Sequence, residues 1–261
     1  YVDINISNKA KINRMENELA VCEVRRLGVL PYQEAWDLQN QIAQQVVTGA
    51  CPPTLLLLEH PHTYTLGRRA DAQHLLWDQD ELDRRQVQVY DVDRGGDVTY
   101  HGPGQLVAYP ILPIASKGWE GERLPQADYV GYIRNLEKVI IFALMHFGLA
   151  GAQIPGLTGV WVQPDVASRC VHCDPRFKQA PSKIASIGVK VDVHGVTRHG
   201  FALNVATDET YWEGIVACGL DGVNMVNMSD LLDPVPDMQE VTDTVINSFS
   251  EVFRYKMVEI S

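Results

Sequence analysis

Apolar positions along this chain recur with two periods, one helical and one alternating. In PYQEAWDLQNQIAQQVV, residues 31–47, Tyr32, Ala35, Trp36, Ile42, Ala43 and Val46 form a stripe at helical spacing, and Pro31 suits a first helical turn. TLLLLEH then runs apolar up to Pro61 and predicts a short buried strand. QVQVYDVDR alternates and predicts a strand that leads into the segment after it. The longest helical pattern is ADYVGYIRNLEKVIIFALMHFG, with Asp128 as candidate N-cap and Gly148 as its stop. GVWVQ, KIASIGVKVDV and TRHGFALNV read as strands, and DMQEVTDTVINSFSEVFRY as a closing helix whose Asp237 and Glu240 have capping-box spacing. Helices and strands mix without regular βαβ alternation, so the expected fold class is α+β, a single domain with a mixed sheet flanked by helices.

Two stretches stand apart. Residues 1–14 show no period, and Met15 is a candidate original start. Residues 163–182, QPDVASRCVHCDPRFKQAPS, also lack a period and read as a long connection between strands, a feature that tends to be functional or mobile inside a compact domain.

RGGDVTYHGPGQLVAYPI, residues 94–111, is glycine-rich yet leads straight into an apolar run. In Gly102-Pro103-Gly104-Gln105 the proline can set the second position of a type II turn and Gly104 supplies the positive φ at the third. Arg94-Gly95-Gly96 would let backbone amides approach a ligand beside a guanidinium. A plain glycine-rich hairpin with chance polar residues explains the same letters. The spacing matches neither a P-loop nor G-x-G-x-x-G, so phosphate cradling is not indicated.

Composition narrows the class. The chain has 261 residues, 46% of them apolar and 21% charged, as in ordinary globular proteins, and a chain of this length can bury about three quarters of its unfolded surface. No apolar run reaches the ~20 residues of a membrane span, and no secretory leader is expected. Five cysteines without framework spacing favour reduced thiols and a cytoplasmic setting. With 33 acidic against 22 basic residues the net charge is −11, which disfavours nucleic acid as a partner.

Arg94 to Gln105, preceded by LLLLEHPHTYTLGRR and followed by KIASIGVKV, HGFALNV and ACGL, resembles the lipoyl(octanoyl) transferase family, with these motifs in the family's order from about Leu27 to Leu232. The resemblance implies a fold similar to the biotin/lipoate protein ligase catalytic domain. It implies transfer of an octanoyl group from octanoyl-acyl carrier protein to a lysine of lipoyl domains, those of 2-oxoacid dehydrogenases and the glycine cleavage H protein, without a cofactor. On this basis residues 1–20 are an N-terminal extension and 21–261 the catalytic domain. The family's nucleophile falls on Cys218 and its partner lysine on Lys183. Its acyl-contacting segments fall on Arg94, Gly95, Gly96, Asp97, Val98, Thr99, Tyr100 and His101, on Ser186, Ile187 and Gly188, and on Gly200, Phe201 and Ala202. The loop at residues 163–182 is longer than the family usually carries and the first 20 residues do not match, so neither region inherits a role.

The chemistry is coherent in its own right. A thioester donor is already activated, and a thiol splits acyl transfer into two easier steps. An ammonium beside a thiol favours the thiolate and can exchange the proton that the leaving thiol and attacking amine require. Gly219 offers an unhindered N–H as candidate oxyanion donor, with Gly188 or Gly200 as a second. His101 and His199 suit binding or packing, and Tyr100 and Phe201 are candidates to line an acyl pocket. Taken alone, a cysteine before glycine is more often a small buried hydrophobe, and a strand lysine is usually solvated.

Cys170, His172 and Cys173 put three soft ligands within four residues, with Cys51 or His194 as a distant fourth, but no second C-x-x-C pair completes a zinc set. Three other readings remain open: an ATP-dependent lipoate or biotin ligase of the same fold, a non-catalytic acyl- or lipoyl-domain-binding module, and a zinc-stabilised interaction protein. The charge of −11 should repel an acidic carrier protein, so docking needs a local basic face, with Arg68, Arg69, Arg94, Arg134 and Arg198 as candidates.

Overall fold

A computed structural model of the chain describes residues 19–115, 126–167, 174–220 and 222–260. Strand β1 (Val21–Val29) leads into helix α1 (Tyr32–Thr48), which starts directly after Pro31 and stops at left-handed Gly49. Its buried face holds Tyr32, Ala35, Ile42, Ala43 and Val46 as the spacing predicts, and adds Gln39, while Trp36 lies at the margin. The chain returns through β2 (Thr54–Glu59), parallel to β1, and enters a small second sheet. There β3 (Thr63–Leu66) pairs in parallel with β4 (Gln88–Asp91) and antiparallel with β5 (Val98–His101), with helix α2 (Gln79–Arg84) between β3 and β4. The alternating segment before Arg94 is thus a four-residue strand at the edge of this sheet.

The turn at Gly102–Gln105 has the form its sequence predicts: Gly104 has φ +83° and Gln105 N–H donates to Gly102 O at 3.1 Å. It delivers β6 (Gln105–Ile111) to the main sheet, antiparallel to β2. Helix α3 (Gln126–His146) already runs at Gln126, so Asp128 lies inside it and is not its N-cap; Gly148, at φ +77°, follows its end. Strands β7 (Gly151–Ile154) and β8 (Leu157–Val162) come next, then the segment from 163 to 182. Its described parts form a helical turn, α4 (Pro164–Ala167), and a 3-10 turn at Pro175–Lys178, anchored in the core by Ala167 and Phe177. That corrects the unstructured reading for those parts, whereas Cys170, His172 and Cys173 lie outside the described residues. Strands β9 (Ser182–Val191) and β10 (Thr197–Asn204), the two-residue β11 (Asn224–Met225), helix α5 (Met238–Phe253) and β12 (Lys256–Glu259) complete the chain. Asp237 caps α5 by accepting the Glu240 N–H at 2.7 Å.

The main sheet has the order β12-β1-β2-β6-β10-β9-β8-β7, with β11 parallel to β9. It is mixed, because β12, β1 and β2 run in parallel and the strands from β6 to β7 alternate. Strand period decides which helix covers which face. Leu55 and Leu57 of β2 point into the layer with α3 and α5, and Leu56 and Leu58 point into the layer with α1. An unbroken apolar run is what burial on both faces demands. The small sheet closes over its own cluster of Tyr64, Leu82, Val87, Val98, Tyr100 and Ile215. No helix among the described residues is long and apolar enough to cross a membrane.

Candidate active site

A cavity of about 740 Å³ opens between the small sheet and the main sheet, within the size range of small-molecule sites. Strand alternation selects which residues of the glycine-rich segment reach it. Arg94, Gly95, Gly96, Asp97, Thr99 and His101 line the wall. Val98 and Tyr100, expected beside them, face the other way into the aromatic cluster under the small sheet, because successive residues of β5 point to opposite faces. Tyr100 stacks there on Tyr211 and its hydroxyl lies 2.9 Å from His62 Nδ1. From β9 and β10 come Ser186, Ile187 and Gly188 and, across the ladder, Gly200, Phe201 and Ala202, all on the cavity wall.

Lys183 and Cys218 meet at this wall. Lys183 Nζ donates to Cys218 Sγ at 3.2 Å, and Ser186 Oγ lies 3.9 Å from the same sulfur. The lysine is only 3% exposed on β9 and its ammonium sits 5.4 Å from the Trp161 ring centroid, a cation–π distance. Gly159 makes room for it: a Cβ there would stand 2.5 Å from Ala185 O and 2.7 Å from Lys183 Cε, at φ +120°. A glycine in a strand often marks such a close approach, yet Gly159 reads in sequence as one letter of GVWVQ.

The thiol is carried on a strained turn. Cys218 adopts φ 58°, ψ 19° and Gly219 follows at φ +65°; a left-handed cysteine persists only where its surroundings hold it. Gly219 N–H donates to Val216 O at 3.0 Å, so this proposed oxyanion donor is engaged within the turn.

Arg94, Gly95 and Gly96 line the cavity and are also held by bonds within the chain. Arg94 is buried, with Nη2 donating to Thr65 O at 2.6 Å and to Thr65 Oγ1 at 2.8 Å, and Nη1 to Gly95 O at 3.0 Å. Gly95 N–H donates to Val189 O at 3.0 Å. Burial pulls the guanidinium below its ordinary value. What comes close to this backbone is the chain itself: a Cβ on Gly67 would overlap Gly96 O and the Arg94 guanidinium. The motif therefore shapes a rigid wall, and Gly67 and Thr65 belong to it although sequence reasoning passed over both.

A buried polar network runs through and behind that wall. His101 Nδ1 bonds Gln105 Oε1 at 2.8 Å, and His60 bridges Leu30 O at 2.7 Å and the Tyr109 hydroxyl at 2.8 Å. Burial drives both histidines toward the neutral form, His60 down to about 4 and His101 well below its ordinary value, the latter helped by His60. His199 is also lowered by burial. Its Nε2 lies 2.7 Å from Asp93 Oδ1, and its backbone N–H donates to Gln39 Oε1 at 2.7 Å. Asp93 is held well below the usual carboxylate range by hydrogen bonds from His199 and Lys190, and further by the nearby Arg198 charge.

The five arginines considered for docking do not form one face. Arg94 is interior, Arg134 pairs with Glu137 at 2.7 Å, and Arg198 pairs with Asp93 and Asn40. Arg68 and Arg69 are exposed, and Arg69 lines the cavity.

The fold and the site together define a class. Residues 31–250 match the lipoyl protein ligase A/B catalytic domain. Among solved structures, a bi-partite lipoate protein ligase from Thermoplasma acidophilum superposes with a TM-score of 0.66 at 16% identity, covering 93% of this chain and 88% of that one, a likeness of fold. An octanoyltransferase of Chloroflexus aggregans is 40% identical over 235 residues, 90% of this chain and 96% of the relative. One from Rubrobacter xylanophilus is 39% identical over 240 residues, 91% and 96% of the two chains. The chain belongs to the octanoyltransferase family, whose members are acyltransferases.

Proposed function

We propose that this protein moves an octanoyl group from octanoyl-acyl carrier protein to a lysine of lipoyl domains, through a thioester on Cys218. The observation that carries this reading is the 3.2 Å approach of Lys183 Nζ to Cys218 Sγ at the cavity wall. Cys218 Sγ attacks the donor's carbonyl carbon and forms a new S–C bond. The bond from that carbon to the carrier's sulfur breaks, and the leaving thiolate takes a proton from Lys183. In the second half the acceptor's neutral amine attacks the same carbon, the S–C bond to Cys218 breaks, and the amine's surplus proton passes to Lys183. Thioester exchange followed by amide formation needs no ATP. Cavity-wall side chains such as Ile187, Val189 and Phe201 offer the chain apolar surface.

Within this reading the acceptors are the lipoyl domains of 2-oxoacid dehydrogenases and the glycine cleavage H protein. An ATP-dependent ligase of the same fold would have no use for a thiol held against an ammonium. Intact mass after incubation with octanoyl-acyl carrier protein, without ATP, tests the proposal. One octanoyl adduct that peptide mapping assigns to Cys218 is the expected result. An adduct on Cys22 or Cys51, or activity only with ATP and free octanoate or lipoate, overturns it.

A further inference from the structure

His74 and Asp97 lie beside the thiol turn, and neither belongs to the reacting pair. His74 ends a 3-10 turn at Ala72–His74, and its carbonyl accepts the Val216 N–H at 2.8 Å. The next residue, Leu75, bridges to Ile215. The His74 ring reaches Asp97, with Nδ1 2.8 Å from Asp97 Oδ2. An ionised carboxylate only accepts, so in such a pair Nδ1 carries the proton. The second carboxylate oxygen accepts the Val98 N–H at 2.6 Å, which fixes the group at the head of β5.

Gly219 closes the arrangement. A Cβ on Gly219 would overlap Asp97 Oδ2 and stand 3.2 Å from His74 Cε1, so the residue after the thiol packs directly on the pair. The pair is sheltered, with side chains 28% and 14% exposed, more persistent than a bridge in open water. Left to themselves, residues do not keep two consecutive left-handed conformations; something must over-determine Cys218 and Gly219.

We infer that the His74–Asp97 pair is a clamp that holds the Cys218 turn left-handed and so keeps its sulfur against the Lys183 ammonium. Both are positioning residues, and Asp97 thereby acts through the turn and not by contacting the acyl chain. This rests on the reading of Cys218 and Lys183 as the reacting pair.

The experiment measures iodoacetamide alkylation of Cys218 by peptide mass, at fixed pH and without donor, in a double-mutant cycle of His74→Ala and Lys183→Met. With Lys183 present, His74→Ala slows alkylation roughly tenfold; with Lys183→Met already in place it adds no further loss, since the contact it preserved is gone. His74→Asn, which can donate to Asp97 from its amide, restores most of the rate. Single-turnover octanoylation falls in step with alkylation, while the donor's KM stays near wild type. If His74→Ala does not fold, Asp97→Ala, which removes the hydrogen-bonding group from the other side of the pair, replaces it in the same cycle. Equal slowing in both backgrounds, or no slowing in either, overturns the clamp. A wild-type protein that alkylates normally but takes up no octanoyl group would sink the transfer reading and leave the clamp to be judged on alkylation alone.

Discussion

Replacing Gly159 by alanine should damage the site from the far side of the lysine. The new Cβ would meet Ala185 O at 2.5 Å and Lys183 Cε at 2.7 Å. The first neighbour is backbone of the adjoining strand β9 and cannot rotate away, so β8 and β9 must part or twist. Alanine at φ +120° costs about 1–3 kcal/mol in strain, and forcing a methyl into a filled site costs roughly 1–3 kcal/mol more. The combined loss of about 2–6 kcal/mol corresponds to a melting temperature lower by roughly 5–20 °C for a domain of this size. The second neighbour is the stem of Lys183, so its ammonium should leave Cys218. Thermal unfolding followed by circular dichroism reads the first effect, and Cys218 alkylation with single-turnover octanoyl transfer reads the second. A variant melting within 2 °C of wild type, with unchanged alkylation, refutes this account of Gly159.

Three further outcomes follow from features already described. Folded His60 stays neutral until the pH falls to about 4, whereas in the unfolded chain it takes its proton near ~6.5; stability is therefore unaffected above pH ~6.5 and is lost as pH falls from there toward 4, about 3 kcal/mol in all. The urea midpoint should therefore drop between pH 7 and pH 4.5, and a flat profile contradicts it. Asp93→Ala strips the hydrogen-bond acceptor from His199, Lys190 and Arg198 and, with the carboxylate partly exposed, should cost about 1–3 kcal/mol in chemical denaturation; a loss under about 0.5 kcal/mol would assign the cluster no structural weight. Reversing Arg68 and Arg69 to glutamate should weaken use of carrier-bound donor more than of a small thioester, an effect that shrinks with salt; equal losses with both donors remove the docking role.

The layers of the fold were legible in the sequence because burial writes its period into the chain. TLLLLE could be apolar throughout only if both its faces were covered, and the stripe on α1 named the residues that cover one of them. Gln39 broke that stripe unseen, because its partner, the His199 N–H, lies 160 residues away. The pairing of Lys183 with Cys218 was likewise invisible to spacing and came from family resemblance. Carrying the acyl-contacting segment over as a block misassigned Val98 and Tyr100, although alternation along a strand already implied that neighbours part company. Gly67, Gly159 and His74 escaped notice because each matters only through an atom distant in sequence. For the candidate docking arginines, a count of cations does not say which are already paired with Asp93 or Glu137.

Strand β11 links Lys183 to the Cys218 turn in a manner that constrains how this chain can vary. Met225 is registered opposite Lys183, and Val226 N–H donates to Lys183 O at 3.0 Å. The thiol is therefore moored a few residues upstream of a point laddered to the lysine's own backbone, forming a closed mechanical circuit around the Lys183–Cys218 contact. Length in that circuit works as a gauge. A residue inserted between Gly219 and Asn224 would either slide β11 one step along β9, turning its side chains to the opposite face, or lift the sulfur off the ammonium. With both ends anchored, an insertion or deletion displaces one of them, so this short tether is held to its length.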